Sequence, residues 1–264
     1  MRIPLYGAPN ARDLGGIVTA FGKVKSARLI RSGELSRLTE QDKKTLEAVT
    51  LRRVIDLRTQ SEINNSPDVT MQGVEYVNIP VIRATTFGIT YEKSDGKRIA
   101  EMLQAGFRRM AERGETFSLH MELLYKKFVT DSFSRDAYGK FLKLLTEPVE
   151  GATLWHCTAG KDRVGTCTAL LLFCLGADRE RIFEDYMLTN AQSRENKLAV
   201  LGKVKDFVSE EDLYRVDKML SVEEAFLQGF FDEAERLFGG TRQFLRACGV
   251  TEKEEEKLRE NYLQ

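Results

Sequence analysis

The stretch that decides the fold runs from Ala152 to Gly176 and reads ATLWHCTAGKDRVGTCTALLLFCLG. Its first five residues predict a buried strand that ends at His156. Residues 157–163 form a polar turn that contains glycine, and residues 164–175 are almost all apolar, which predicts a buried helix that ends at Gly176. A strand, a tight loop and a helix N-terminus in this order are typical of an anion-binding cradle.

The loop carries a cysteine and an arginine six positions apart, Cys157 and Arg163. A phosphate ester dianion repels nucleophiles, so a catalyst must neutralise its charge while a nucleophile attacks in line. The positive end of the helix dipole favours a thiolate at Cys157, and the Arg163 guanidinium can bind two phosphoryl oxygens at once. The spacing therefore predicts a nucleophile and a phosphate ligand on one loop.

The residues between these two complete the predicted phosphate site. Backbone N–H groups at the start of a helix converge on one anion, which predicts phosphate binding by Thr158, Ala159, Gly160 and Lys161 together with Arg163. Gly160 lets the loop curl without a side chain that blocks the ligand.

The histidine before the cysteine is expected to support the loop. We predict that His156 holds the loop or the backbone of Cys157 and takes no part in catalysis. The chain has two histidines. Together with His120 and the cysteines, His156 forms no cluster with zinc-ligand spacing, so we predict neither a metal nor a cofactor. The apolar helix after the loop carries Cys167 and Cys174, which we expect in the core, although either one could resolve an oxidised Cys157.

The composition excludes several classes of protein. Forty basic and forty acidic side chains cancel, so no overall field favours nucleic acid or anionic lipid as a partner. Four cysteines are few for a disulfide framework and fit a reducing compartment. The first residues lack the apolar core of a signal peptide, and the longest apolar run, Ala169 to Leu175, is far shorter than the roughly 20 residues of a membrane span. We expect a cytoplasmic protein with no integral membrane segment; secretion without a cleaved signal stays open.

Outside the loop, the pattern predicts an α/β fold with a small, largely parallel sheet flanked by helices. Strands are predicted at 53–58 and 74–80, and Thr39 to Asp42 resemble a capping box that opens a helix. Residues 97–145 read as two or three helices, with interruptions near Gly114 and at 131–134. The C-terminal third is predicted to be helical at 178–194, 199–208, 222–238 and 241–247 and after Thr251. We expect residues 1–264 to form a single domain.

Several segments of the chain resemble those of a known protein family. The loop resembles that of the protein tyrosine phosphatase superfamily, and more narrowly the chain resembles bacterial tyrosine phosphatases of the mycobacterial PtpB and Listeria LipA type. The further segments that carry this resemblance are Asn10 to Gly16, Arg31 to Thr39, Val54 to Arg58 and Asp185 to Asn190. The resemblance implies a phosphocysteine intermediate, no metal, phosphate or vanadate as inhibitors, and a phosphorylated protein or a phosphoinositide as substrate.

The resemblance also bears on the general acid. The Trp-Pro-Asp acid loop of eukaryotic tyrosine phosphatases is absent, because the single tryptophan, Trp155, lies in the strand that enters the loop. Asp162 resembles the loop aspartate that has the acid role in the bacterial group. Asp56 is the second candidate and Asp131 the third. A salt bridge of Asp56 with Arg58 or Arg12 is an equally good interpretation.

The chain departs from the family pattern after the arginine, where Val164 replaces the usual threonine or serine. A hydroxyl that stabilises the departing thiolate is then missing, unless Thr158 or Thr166 supplies it, and we expect slow breakdown of the intermediate. This departure leaves two alternatives open. One is a pseudophosphatase that binds phosphorylated ligands, and the other is a thiol enzyme of the rhodanese or arsenate reductase kind.

Three further expectations concern the surroundings of the loop. Lys161 matches a lysine of lipid phosphatases in the superfamily, where a second cation suits a highly charged head group. Arg12, Asp13 and Arg31 are expected to form a charged network behind the site, with substrate contact as the alternative. Part of residues 198–220 is predicted to cover the site as a helical lid, with ordinary core packing as the alternative.

Overall fold

The computed structural model describes residues 2–88 and 96–264. Within them the strands are β1 (Arg12–Asp13), β2 (Val18–Thr19), β3 (Gly22–Lys23), β4 (Leu29–Ser32), β5 (Leu51–Asp56), β6 (Glu75–Asn78) and β7 (Ala152–His156). The helices are α1 (Glu40–Ala48), α2 (Gln60–Asn65), α3 (Gly96–Glu112), α4 (Phe117–Thr130), α5 (Ser132–Leu145), α6 (Asp162–Cys174), α7 (Arg179–Gln192), α8 (Arg194–Val204), α9 (Glu210–Met219), α10 (Glu224–Phe238), α11 (Thr241–Ala247) and α12 (Glu252–Tyr262).

The main sheet has the strand order β1-β4-β7-β5-β6. Strands β4, β7, β5 and β6 run parallel to their neighbours, and only the edge strand β1 pairs in the antiparallel sense. Strands β2 and β3 form a separate small hairpin. The predicted α/β fold with a largely parallel sheet is therefore confirmed.

Both faces of the sheet are covered, as expected for parallel strands. Alternation along β7 sends Leu154 to the smaller core on one face and Trp155 to the larger core on the other. Helix α1 packs beside the smaller core through Leu46, whereas α4, α5, α6 and α10 fill the larger one. The middle strand is thus buried on both sides, and the loop begins directly at its end.

Most predicted elements lie where the pattern placed them. The capping box of Thr39 and Asp42 opens α1, and the three middle helices are separated at Gly114 and at Asp131. Strand β5 begins and ends two residues before the predicted strand, and the C-terminal third is helical. Strands β1 to β4 and helices α2 and α9 were not predicted. No helix in the described part of the chain is long and apolar enough to cross a membrane.

Candidate active site

The loop between β7 and α6 lies at the carboxyl end of the sheet, where ligands bind in open α/β folds. Cys157 follows directly on the central strand and is only 2% exposed. Gly160 has a φ of +67°, and a Cβ there would lie 2.5 Å from the backbone carbonyl of Ser32. The curl of the loop therefore requires glycine at this position, as the sequence predicted.

The carbonyl of Gly160 is fixed from behind by two side chains. Asn10 Nδ2 donates to it at 2.6 Å, and Arg31 Nη2 donates to it at 3.0 Å. Asp185 on α7 accepts from Arg31 at 2.5 Å and from Arg12 at 2.8 Å. Burial and the neighbouring Arg12 lower the pKa of Arg31 to about 10, although Asp185 opposes this shift. These contacts match the predicted charged network behind the site and explain the Asp185 segment.

Asp13, the third residue of the predicted network, has a different environment. Its carboxylate accepts hydrogen bonds from the backbone N–H groups of Gly15 at 3.0 Å and of Ala27 at 2.8 Å. Such bonds from nearby amides to a carboxylate hold turns in place. Asp13 therefore shapes the turns on either side of the β2–β3 hairpin.

Arg163 is fully buried and paired with a residue that sequence reasoning missed. Its Nη1 and Nη2 atoms donate to the two carboxylate oxygens of Glu62 at 2.7 and 2.8 Å. Thr158 Oγ1 also donates to Glu62, at 2.6 Å. A planar guanidinium held by both Nη atoms has little freedom to rotate. Glu62 therefore fixes the orientation of Arg163, the side chain predicted to bind phosphate.

Glu62 is placed by the short helix α2. Thr59 caps this helix, and its hydroxyl and the Glu62 side chain form a capping box. Although burial opposes it, the hydrogen bonds and charge of Arg163, with help from Thr158, lower the pKa of Glu62 to about 2. The carboxylate is therefore charged across the physiological range. The start of α2 could have been predicted, because Thr59-Gln60-Ser61-Glu62 has the capping-box spacing, but this spacing does not indicate the pairing of Glu62 with Arg163.

The Nε atom of Arg163 is buried and has no hydrogen-bond partner among the described residues. A buried donor without an acceptor is costly, and in a binding site it marks the place of a ligand. Burial alone would lower the pKa of Arg163, but the charge of nearby Cys157 and the bonds to Glu62 outweigh burial and raise the pKa above its ordinary value. The guanidinium is thus charged, oriented and able to donate on its Nε side.

His156 is buried beside acidic groups. Its Nε2 atom lies 2.8 Å from Asp68 Oδ2, and its Nδ1 atom lies 3.4 Å from the carbonyl of Cys157. Burial lowers the pKa of His156, but the charges of Asp56 and Asp68 raise it above the ordinary value overall. This position agrees with the predicted support of the Cys157 backbone.

Asp56 forms the salt bridge that the sequence left open. Arg58 Nη2 donates to Asp56 Oδ2 at 2.8 Å, and Arg58 Nε lies within reach of both oxygens. Asp56, Asp68 and His156 place three possible metal-ligand atoms within 4.8 Å of one another. However, Arg58 also donates to Asp68 at 2.8 Å, so a guanidinium already balances both carboxylates. Asp56, Asp68 and His156 therefore form an ion-pair network with Arg58.

Asp131 caps helix α5, where its side chain accepts from the N–H of Phe133. Its carboxylate also lies 3.9 Å from Arg83. Both contacts are local to the start of α5 and give Asp131 a structural role there. They give no support to Asp131 as a general acid.

Asp162 begins helix α6 and is buried. Tyr125 on α4 donates to its Oδ1 at 2.9 Å, and Lys161 Nζ lies 3.5 Å from its Oδ2. Lys161 itself donates to the carbonyl of Met219, the last residue of helix α9, at 2.7 Å and to that of Ser221 at 3.3 Å. The predicted second cation is therefore bonded to backbone carbonyls in this structure.

A cavity of about 610 Å³ adjoins the loop at Thr158, Ala159 and Lys161. Its other walls are the N-terminal segment 2–11, helices α3 and α8, and the end of α9. This volume is typical of a ligand pocket. Two of the helices in the predicted lid segment thus line the space beside the phosphate loop.

The hydroxyls that could replace the one missing at Val164 are engaged elsewhere. Thr158 Oγ1 donates to Glu62, and Thr166 Oγ1 donates to the carbonyl of Arg163 at 3.1 Å. Val164 itself is fully buried. Neither threonine is thus positioned as a substitute in this structure.

The other cysteines are buried core residues. Burial, and for Cys167 also the charge of Cys157, raises the pKa of Cys167 and Cys174 far above the ordinary thiol value. A thiol with so high a pKa is a poor nucleophile. These surroundings favour the core interpretation over a resolving thiol.

The structure places Cys157 and the oriented Arg163 together at the N-terminus of α6, beyond the parallel sheet. A family model described as the tyrosine phosphatase family matches residues 3–264. The chain therefore belongs to the tyrosine phosphatase family, as the resemblance predicted, and its enzyme class is that of the protein-tyrosine phosphatases.

Individual relatives are more distant. The chain is 26% identical over 281 residues to the triple specificity protein phosphatase PtpB of Mycobacterium tuberculosis, an alignment that covers 97% of this chain and 96% of that protein. It is 29% identical to a tyrosine-protein phosphatase candidate of Cupriavidus necator over 74% of this chain and 65% of that protein. It is 27% identical to a tyrosine-protein phosphatase of Nostoc commune over 61% of this chain and 47% of that protein. The matched region thus spans less than two thirds of the last two relatives.

Proposed function

We propose that this protein is a cysteine-dependent phosphomonoester phosphatase that acts through a phosphocysteine intermediate. The observation that carries the proposal is the environment of Arg163. Its Nη atoms are fixed by Glu62, while its buried Nε atom has no acceptor among the described residues and the charge of Cys157 acts on it. A phosphoryl group bound beside Cys157 would supply that acceptor.

The first N–H groups of α6 complete the cradle in this proposal. Lys161 occupies the N-cap position of α6 and makes no side-chain capping hydrogen bond. The amides of the first turn are therefore available to a phosphoryl group, and the helix dipole favours the negative charge. In the first step the Cys157 thiolate attacks phosphorus, an S–P bond forms, and the ester P–O bond breaks.

The leaving oxygen then needs a proton, and Asp162 is the proposed donor. Asp56 is bound through both oxygens to Arg58, and Asp131 caps a helix, so neither is as available. In the second step water attacks the phosphocysteine, Asp162 takes up a proton from the water, and the thiolate leaves. Atoms and charges balance without a metal or a redox partner.

Phosphotyrosine is the proposed substrate class. The family and the names of the relatives point to it, and the name of the mycobacterial relative adds broader specificity. Phosphoserine, phosphothreonine and phosphoinositides are thus secondary candidates. The cavity beside the loop has room for more than the phosphoryl group. We further propose that part of 198–220 acts as a lid over this cavity within one catalytic domain.

The test is a comparison of substrates and cysteine variants. The protein is assayed with EDTA on a phosphotyrosine peptide, a phosphoserine peptide and a soluble short-chain phosphoinositide. Cys157→Ser is expected to abolish turnover but to keep phosphate or vanadate binding. Cys248→Ser changes another buried, free cysteine and is expected to keep the wild-type rate. No turnover by the wild type, or full activity of Cys157→Ser, would show that the proposal is wrong.

A pseudophosphatase would differ in the same assay. It would bind the phosphotyrosine peptide with Arg163 but release no phosphate within hours. The specific observation that favours this second candidate is the burial of Val164 together with the engaged hydroxyls of Thr158 and Thr166.

A further inference from the structure

Two buried tyrosine hydroxyls form a chain that ends on Asp162. Tyr125 donates to Asp162 Oδ1 at 2.9 Å, and the hydroxyl oxygens of Tyr125 and Tyr186 lie 2.7 Å apart. A tyrosine hydroxyl has a single proton. Because Tyr125 gives its proton to Asp162, Tyr186 must be the donor to Tyr125. The direction of the chain is therefore from Tyr186 to Tyr125 to Asp162.

The chain is built from three helices and is closely packed. Tyr125 lies on α4, Tyr186 on α7 and Asp162 on α6. The Tyr125 ring packs against Phe226 with centroids 5.8 Å apart and against Tyr186 with centroids 6.3 Å apart. Both tyrosines are at most 1% exposed. The hydroxyls are thus held in place by the packing of their rings.

A glycine permits the approach of Tyr186 to helix α6. A Cβ at Gly165 would lie 2.9 Å from Cε2 of the Tyr186 ring. Any larger residue would therefore push the ring away from α6. Burial and the negative charge of Asp162 raise the pKa of both tyrosines well above 10, so their hydroxyls keep their protons. The chain remains a donor to Asp162 throughout the working range of pH.

The hydrogen bond makes the two carboxylate oxygens of Asp162 unequal. Oδ1 accepts from Tyr125, whereas Oδ2 lies 3.5 Å from Lys161 Nζ. A carboxyl group that accepts on one oxygen carries its own proton on the other. In the acid form that the proposed function requires, the proton to be transferred is therefore carried by Oδ2. When it leaves, the new negative charge is stabilised by a donor that is already in place.

We infer that Tyr125, supported by Tyr186, is a positioning residue for the general acid Asp162. The inference rests on the proposed function and deepens it. As the Cys157 Sγ–P bond forms and the ester P–O bond breaks, the proton moves from Asp162 Oδ2 to the leaving oxygen. Tyr125 holds the carboxyl group by Oδ1 and stabilises the carboxylate that results. No sequence motif pointed to Tyr125, since its neighbours in the sequence match no part of the family pattern.

The leaving group of the substrate provides the test. Phenyl phosphate has a poor leaving group that needs the acid, whereas 2,4-dinitrophenyl phosphate has a good one that does not. Tyr125→Phe is expected to lower kcat/KM, which reports formation of the phosphocysteine, about tenfold with phenyl phosphate, the loss of one hydrogen bond to a charged group. With 2,4-dinitrophenyl phosphate its kcat/KM should stay within about twofold of the wild type.

A second tyrosine offers a matched control. Tyr138 is also fully buried, and its hydroxyl donates at 3.0 Å to Thr166 on the same helix, α6. Tyr138→Phe removes an equivalent hydroxyl but has no bond to Asp162. Tyr138→Phe should change kcat/KM by the same factor with both substrates. Tyr186→Phe keeps the bond from Tyr125 to Asp162. It is expected to lower kcat/KM with phenyl phosphate as Tyr125→Phe does, but only about threefold.

The outcomes separate this inference from the proposed function. Tyr125→Phe and Tyr186→Phe could lower kcat/KM equally with phenyl phosphate and 2,4-dinitrophenyl phosphate, as is expected of Tyr138→Phe. The hydroxyl chain would then be only structural, and the inference would be wrong. Asp162→Asn should itself change the ratio of the two rates, and adding Tyr125→Phe should change it no further. If Asp162→Asn leaves the ratio unchanged, the proposed acid is wrong and the role of Tyr125 fails with it.

Discussion

Glu62 and Arg163 are 101 positions apart in the sequence, yet each Nη atom of Arg163 bonds to its own oxygen of Glu62. The pair joins the short helix α2 to the phosphate loop. Because Arg163 has its Nη side occupied, only its Nε side can turn toward a ligand without breaking this pair. In the proposed function, the position of α2 therefore decides where the guanidinium meets the phosphoryl group.

Glu62→Gln is expected to impair catalysis without direct loss of a group that contacts substrate. The amide keeps one acceptor oxygen but turns an NH2 group toward an Nη atom, so the guanidinium loses one of its two fixed bonds. A buried hydrogen bond to a charged group contributes about 1.5–3 kcal/mol, which corresponds to roughly 10- to 100-fold in kcat/KM. Steady-state kinetics and the inhibition constant of vanadate measure this effect.

Glu254→Gln is the matched control for this prediction. Glu254 occupies the same position in the capping box of α12, with Thr251 as its partner, but no arginine depends on it in the same way among the described residues. Its replacement should leave kcat/KM within about twofold of the wild type. Equal losses in the two variants would mean that Glu62 acts only through its helix cap.

The same pair predicts how stability depends on pH. The pKa of Glu62 is about 2 in the folded protein against 4.5 ordinarily. Because the folded value is the lower one, the stabilisation is complete above pH 4.5 and is lost as the pH falls toward 2. The shift corresponds to about 3 kcal/mol. In urea unfolding, the free-energy gap between wild type and Glu62→Gln should shrink from pH 7 to pH 3. A gap that does not depend on pH would contradict the assignment.

Gly160→Ala is expected to disrupt the phosphate loop. The added Cβ would lie 2.5 Å from the Ser32 carbonyl at a φ of +67°. The loop must then move away from β4, which displaces the amides that face the ligand. Activity should fall by at least tenfold, and vanadate should bind more weakly; kinetics and calorimetry measure the two effects.

Gly73→Ala separates backbone strain from this clash. Gly73 has a φ of +73°, close to that of Gly160, but nothing lies within 4 Å of a Cβ built there. The substitution should cost about 1–2 kcal/mol of stability through φ alone and leave activity unchanged. If Gly160→Ala loses no more activity than Gly73→Ala, the clash with Ser32 does not determine the effect.

The sequence predicted the loop because its parts are local. The strand, the turn and the helix from Ala152 to Gly176 each have a clear local pattern, and the structure has the strand and the helix there. Glu62 and Tyr125 reach the loop from distant positions, through a helix of six residues and from the middle of the chain. Such contacts arise from packing between elements, which no local pattern specifies.

The short strands near the N-terminus also lack a local pattern that would have predicted them. Strands β1 to β3 have two residues each, too few for an alternating pattern, and β4 carries Arg31 in its middle. Arg31 can be buried there because it forms a salt bridge with Asp185 on α7. A buried arginine in a strand is an exception to apolar patterning that tertiary ion pairs allow.

Val164 stands where the sequence resemblance predicts threonine or serine, and in the proposed mechanism it predicts slow turnover of the intermediate. With no hydroxyl to assist the departing thiolate, breakdown of the phosphocysteine should be the slower step. Rapid mixing with p-nitrophenyl phosphate should then give a burst of p-nitrophenol close to one equivalent of enzyme, followed by a slow steady rate. Val164→Thr should raise the steady rate and reduce the burst.

The control for this variant must also bury a hydroxyl. Val129 on α4 is as fully buried as Val164, so both threonine variants should lose about 1–3 kcal/mol of stability. Only Val164→Thr should change the burst, because only there does the hydroxyl lie next to the residues of the loop. If the wild type shows no burst and Val164→Thr turns over at the same steady rate, formation of the intermediate limits the reaction, and the missing hydroxyl has no kinetic consequence.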